Sequence, residues 1–135
     1  MTKDTIILTP ALEDYLEVIL ELDETENEIR VTDVAEKLNI AKSTVTITLN
    51  KLKSLGLVTQ ESYGPILLTR AGKLCAVDVK NRHRVLRKFL VEVLGVDYQT
   101  ADKDACLMEH VVSPVTMKRM AEFIVKTQEA IDSKK

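Results

Sequence analysis

The stretch VTDVAEKLNIAKSTVTITLNKLKSLG, residues 31–56, decides the fold. It holds two helical runs with a short break between them. Val34, Ala35 and Leu38 share one helix face, and Val45, Leu49 and Leu52 share another beyond Asn39-Ile40-Ala41. Thr32 is the expected N-cap of the first run, with Asp33 and Glu36 at the positive end of the helix dipole. The second run extends from about Lys42 to Leu55, and Gly56 is its expected C′ residue. Two short helices joined by a three-residue turn form a helix-turn-helix. The outward positions of the second are Lys42, Ser43, Thr44, Thr46, Ile47, Asn50 and Lys51. Hydroxyls, an amide and ammonium groups can meet phosphates and base edges, and a Thr methyl can meet a thymine methyl. An isoleucine facing water costs solubility, so Ile47 points to a contact surface. An ordinary three-helix core accounts for the buried stripe but not for this outer set.

Working outward, Leu57–Gln60 and Ile66–Thr69 read as strands, with Ser62-Tyr63-Gly64-Pro65 as the turn between them. A helix-turn-helix followed by a hairpin is a winged helix, and Tyr63 of the wing joins the candidate DNA contacts. On the N-terminal side, Thr9-Pro10 is a helix start. Leu12, Tyr15, Leu16, Ile19 and Leu20 form its apolar stripe, with Glu13, Asp14, Glu17 and Glu21 on the other side. Asp14 and Glu17 are one turn apart, which by itself is more often an acidic solvated face than a site.

Thr69 caps a long helix that reaches about Val93 and ends at Gly95. Val79, Val85, Leu86, Phe89, Leu90, Val93 and Leu94 line its apolar side. His83 lies on that stripe, where a histidine is more often a satisfied core residue than a ligand. A further helix spans Tyr98 to Val112, with Ala101, Ala105, Met108 and Val112 as its seam. Asp102, Cys106, Glu109, His110 and Ser113 fall just outside that seam. Cys106, Glu109 and His110 stand at i, i+3 and i+4, so one surface offers a thiol, a carboxylate and an imidazole, each able to ligate a divalent metal. Ser113-Pro114 starts a last helix with Met117, Met120, Ala121 and Ile124 inside.

The chain has 135 residues, of which 45% are hydrophobic and 30% charged, a globular profile. No apolar run approaches a membrane span, and the N-terminus lacks the pattern of a signal peptide. Cys75 and Cys106 are too few for a disulfide framework, so reduced thiols and a cytoplasmic location are expected. The net charge of −2 hides segregation: residues 1–29 carry nine acids and one lysine, while residues 30–56 carry five basic residues against two acids. A globally acidic chain can therefore present a basic face to nucleic acid.

Glu13-Asp14-Tyr15-Leu16-Glu17, the helix-turn-helix, Arg82-His83-Arg84-Val85-Leu86 and Glu109-His110-Val111-Val112-Ser113 together resemble the diphtheria toxin repressor (DtxR/MntR) family. These are metal-activated transcriptional repressors, and the match runs over about residues 8–125 in one register. The short chain is similar to the manganese-regulator branch, which lacks the SH3-like third domain of the iron branch. The resemblance implies metal ligands at Asp14, Glu17, His83, Cys106, Glu109 and His110. Cys106 matches the iron branch, whereas Asp14 matches the manganese branch. Arg87 stands at a carboxylate of the iron branch's ancillary site and Asp102 at its histidine, and a cation at Arg87 repels a second metal.

The expected fold is mainly α: a winged helix-turn-helix DNA-binding domain over residues 1–72 and an α-helical metal-binding and dimerisation domain over residues 73–135. The expected function is a homodimeric repressor of metal-ion homeostasis, activated by Mn2+ or Fe2+ and binding double-stranded operator DNA. No membrane, no small-molecule substrate and no enzymatic activity are expected, since no oxyanion donor set or substrate cleft is evident. A metal-independent winged-helix regulator with a redox-sensing Cys106 is the alternative.

Overall fold

The computed structural model describes residues 8–25, 27–62 and 64–133; Tyr63, a candidate DNA contact, lies outside them. The chain divides into two compact units, Met1–Asp78 and Val79–Lys135. The first holds α1 (Pro10–Asp23), α2 (Val31–Leu38), α3 (Lys42–Ser54), β1 (Val58–Gln60), β2 (Ile66–Leu68) and the start of α4 (Arg70–Lys88). The second holds the rest of α4, a π-helical turn at Phe89–Val93, α5 (Tyr98–Met108) and α6 (Pro114–Ser133).

Thr9 caps α1: its Oγ1 accepts the Leu12 N–H at 3.2 Å, and Pro10 is the first helical residue. The whole expected stripe from Leu12 to Leu20 is buried. Glu13 departs from expectation. It is only 8% exposed rather than on the solvated side, because it precedes Leu16 by three residues and Leu20 by seven and so falls on the edge of the stripe.

The cap of α2 is Arg30 rather than Thr32. The helix starts two residues early, which places Asp33 where its Oδ2 reaches back to accept the Arg30 N–H at 2.8 Å. Asn39 closes α2 in the left-handed region at φ +56°, a conformation Asn tolerates through its short polar side chain. The α3 stripe of Val45, Leu49 and Leu52 is fully buried. Gly56 takes φ +75°, the Gly56 N–H donates to Lys53 O and the Leu57 N–H to Leu52 O, the bond pair that ends a helix on a left-handed residue.

β1 and β2 pair antiparallel in the register Val58↔Leu68, Thr59↔Leu67 and Gln60↔Ile66. Val58 and Ile66 point into the core, while Leu67 is 56% exposed. The strands stop one residue short of Leu57 and Thr69, because those residues tie the hairpin's base to its neighbours. The Leu57 carbonyl accepts the Thr69 N–H at 3.0 Å, and Thr69 Oγ1 donates to Gly56 O at 2.7 Å. The same hydroxyl accepts the Gly72 N–H at 3.0 Å and so caps α4. Gly72 lies against the hairpin's base so closely that a Cβ there would meet the Leu57 carbonyl oxygen at 1.9 Å.

In the second unit the α4 hydrogen-bond pattern widens. The Leu94 N–H donates to Phe89 O at 3.3 Å, five residues back. The expected stop at Gly95 holds, with φ +73°. The wide turn carries Leu90 into the interior and sets the Phe89 ring 6.1 Å from Phe123 of α6. Leu86, Ala105 and Met117 form the centre of this unit, flanked by Val85, Met108, Val112 and Met120.

Candidate metal centre and DNA-facing helix

Asp97 caps α5 by accepting the Thr100 N–H at 3.0 Å, a bond that holds its carboxyl below the usual carboxylate range. The helix ends at Met108 rather than Val112, so Glu109 and His110 occupy the turn that follows it. Arg82 Nη1 donates to the Glu109 carbonyl at 2.6 Å, placing a guanidinium at the negative end of α5.

The Glu109 side chain is fully buried. Expected just outside the seam, it is part of it: it follows Ala105 by four residues and Ala101 by eight, and both alanines are buried. Its Oε1 lies 2.7 Å from His83 Nδ1. Among the described residues its Oε2 has no hydrogen-bond partner, and His110 Nε2 stands 3.9 Å away. His83, Glu109 and His110 thus converge within one unit. An uncompensated buried carboxylate costs several kcal/mol. A carboxylate beside two imidazoles is a donor set suited to divalent transition metals, so the residues present fit such an ion.

Cys106 does not share this burial. It is exposed, about 100° around the helix from Ala105, on the solvent side. The other face of His83 is occupied as well. Its Nε2 lies 2.8 Å from Asp102 Oδ1, and the same oxygen accepts Arg87 Nη1 at 2.9 Å. Arg87 stacks over the Tyr98 ring, 5.1 Å from its centroid. The Arg87 guanidinium, and after it His83, hold the Asp102 carboxyl below the usual range. Arg87, the cation expected to repel a second metal, is ion-paired with Asp102. The role of Asp102 toward His83 was not legible, although His83 and Arg87 are four apart on one helix face.

In the first unit, Asp14 and Glu17 are half-buried, one turn apart on α1, and not on a fully solvated face. Cys75 is half-buried too. Burial, then Asp78 and Glu13, push its thiol up. Thiolate is the reacting form, so iodoacetamide at pH 7.5 should label Cys106 well before Cys75. Peptide mass mapping checks this, and equal labelling would contradict it. On α3, Lys42, Ser43, Thr44, Thr46, Asn50 and Lys51 are all exposed, and Ile47 is 71% exposed.

Two family models cover the chain. Residues 7–66 match "Iron dependent repressor, N-terminal DNA binding domain", and residues 69–134 match "Iron dependent repressor, metal binding and dimerisation domain". The chain belongs to the iron-dependent repressor family. Other members of this family support the assignment. An uncharacterised HTH-type transcriptional regulator of Methanocaldococcus jannaschii is 37% identical over 125 residues, covering 92% of this chain and all of the relative. The transcriptional regulator MntR of Salmonella typhi is 35% identical, covering 83% of this chain and 71% of MntR. Among solved structures, the manganese regulator SloR superposes with a TM-score of 0.76 at 32% identity, over 87% of this chain and 54% of SloR. A manganese-dependent transcriptional repressor solved with manganese gives 0.77 at 32% identity, over 84% of this chain and 52% of the repressor. The chain therefore spans about half the length of these family members with solved structures. Iron-dependent repressors are transcriptional regulators, with one domain for DNA and one for metal and dimerisation. Among the described residues no helix is long and apolar enough to cross a membrane.

Proposed function

We propose that this chain is a cytoplasmic homodimeric repressor that Mn2+ or Fe2+ activates for binding to palindromic operator DNA, and that it is not an enzyme. The carrying observation is the buried Glu109 carboxylate, with one oxygen on His83 and the other without a hydrogen-bond partner among the described residues. We assign Asp14, Glu17, His83, Glu109 and His110 as ligands, with Cys106 as the further donor implied by family resemblance. A bound divalent cation supplies the positive charge that these acidic donors need. Glu109 and His83 orient one another through their 2.7 Å contact, and Arg82 fixes the Glu109 backbone from the other side. Asp14 and Glu17 lie on α1 of the DNA-facing unit, so a cation held by them would restrict that unit. Metal then favours the DNA-competent population, and by linkage DNA tightens metal binding.

On the DNA side, we assign Lys42, Ser43, Thr44, Thr46, Ile47, Asn50 and Lys51 as the contact surface, and Tyr63, outside the described residues, as a further contact. Lys42 and Lys51 supply the salt-dependent contacts to phosphate. Ile47 supplies an apolar contact, and its exposure means that it contributes little to the core.

Fluorescence anisotropy of duplex operator DNA, with Mn2+, with Fe2+ and with chelator, tests the proposal. Binding should be strong with either metal and weak with chelator, and equal binding in all three would refute metal control. Ile47→Ala should weaken binding while shifting stability by no more than about 0.5 kcal/mol, as expected of an exposed site.

A further inference from the structure

We propose that Asp102, braced by Arg87, decides which nitrogen of His83 is offered to the cation, and closes the other side of the ring to metal. The inference rests on the assignment of His83 and Glu109 as ligands. The His83 ring lies between two carboxylates, with Nδ1 at 2.7 Å from Glu109 Oε1 and Nε2 at 2.8 Å from Asp102 Oδ1. Ionised carboxylates only accept hydrogen bonds, and a neutral imidazole has a single N–H to give. The two acceptors therefore compete for one proton, and the loser faces a lone pair.

The surroundings of the two carboxylates differ in what can replace that proton. At Glu109 the carboxylate is fully buried, with Oε2 unpartnered among the described residues and His110 Nε2 3.9 Å away, so a cation can enter there. At Asp102 the place of a cation is already taken. Arg87 Nη1 donates to the same Oδ1 at 2.9 Å, and Arg87 is itself held over Tyr98. A proton given to Asp102 leaves the Nδ1 lone pair directed at the Glu109 side, where it can ligate. The opposite tautomer would aim an N–H at the cation and set two lone pairs against each other across 2.8 Å. Asp102 is thus a positioning residue for His83, and Arg87 holds Asp102 in place while its charge stands where a second cation would.

The test uses the whole chain loaded with diamagnetic Zn2+. Long-range 1H–15N NMR of the His83 ring should show Nε2 protonated and Nδ1 bound to metal, and a protonated Nδ1 would overturn the proposal. Competition against a fluorescent chelator should show Asp102→Ala weakening Zn2+ and Mn2+ by about 10–100-fold, the usual cost of losing a group that orients a ligating histidine. Asp102→Asn retains an accepting side-chain oxygen but loses the ion pair with Arg87. It should recover most of the affinity and keep the Nε2–H signal. A merely structural ion pair predicts instead that Asn fares as badly as Ala, and Asp102→Ala at wild-type affinity would likewise refute positioning. Absence of metal binding by the unmodified chain would bring down the ligand assignment itself, a result distinguishable from either.

Discussion

Glu109→Gln is expected to abolish metal-dependent DNA binding while leaving the metal-free chain at least as stable as before. The substitution keeps the shape of a side chain that is fully buried. It removes a negative charge whose Oε2 has no hydrogen-bond partner among the described residues. Without metal that carboxylate is costly to bury, because one of its oxygens has given up water with no hydrogen bond in return among the described residues. In the proposed metal centre it is a ligand, and a neutral amide replaces a carboxylate ligand poorly. The loss of affinity should exceed the roughly 100-fold that marks the upper range for residues acting behind a ligand. Thermal melts expose both sides of the effect. A cation at 100 times its dissociation constant stabilises the chain that binds it by about 2.7 kcal/mol. That increment should vanish in Glu109→Gln, and a variant that still gains it would remove Glu109 from the metal centre.

Gly72→Ala is the second large effect, and it acts on the fold alone. A methyl at this position would stand 1.9 Å from the Leu57 carbonyl oxygen and 2.8 Å from its carbonyl carbon. The obstruction is backbone, and that carbonyl already accepts the Thr69 N–H at 3.0 Å, so it cannot swing aside without breaking the base of the hairpin. Overpacking of this kind costs about 3 kcal/mol or more. For a unit of this size each kcal/mol lowers Tm by roughly 4–8 °C, so the melt should fall by at least about 12 °C. Gly56→Ala separates the clash from backbone strain. Gly56 is left-handed at φ +75° but has open space around it, so alanine there should cost only about 1–2 kcal/mol. Equal effects at the two glycines would contradict the close-contact argument.

Local chemistry explains which parts of this structure were legible beforehand. The helix-turn-helix was readable because Val45, Leu49 and Leu52 repeat with the helical period and Gly56 ends the run in the conformation only glycine adopts freely. The start of α2 was misplaced, because a carboxylate at Asp33 can cap from inside the helix as effectively as a threonine hydroxyl can from outside. Glu13, expected on the solvated side, and Glu109, expected just outside the seam, are both buried. In both cases spacing from neighbouring apolar residues was the better guide, since a helix buries a sector of its circumference whatever the chemistry of one residue in it. Gly72 gave no signal, because the demand for a missing side chain comes from a carbonyl fifteen residues earlier in the chain. The partnership of Asp102 with His83 was hidden for the same reason: it joins α5 to α4 across nineteen residues of sequence.

The π-helical turn at Phe89–Val93 means that the chain leaves α4 with its phase advanced relative to a regular α-helix. Removing one residue from it would restore regular winding and rotate all that follows by about 100°. Tyr98 would then leave the Arg87 guanidinium, and Asp102 would no longer face His83. The length of this short segment therefore constrains the proposed metal centre: a deletion there would break the Asp102–His83 contact even with every proposed ligand in place.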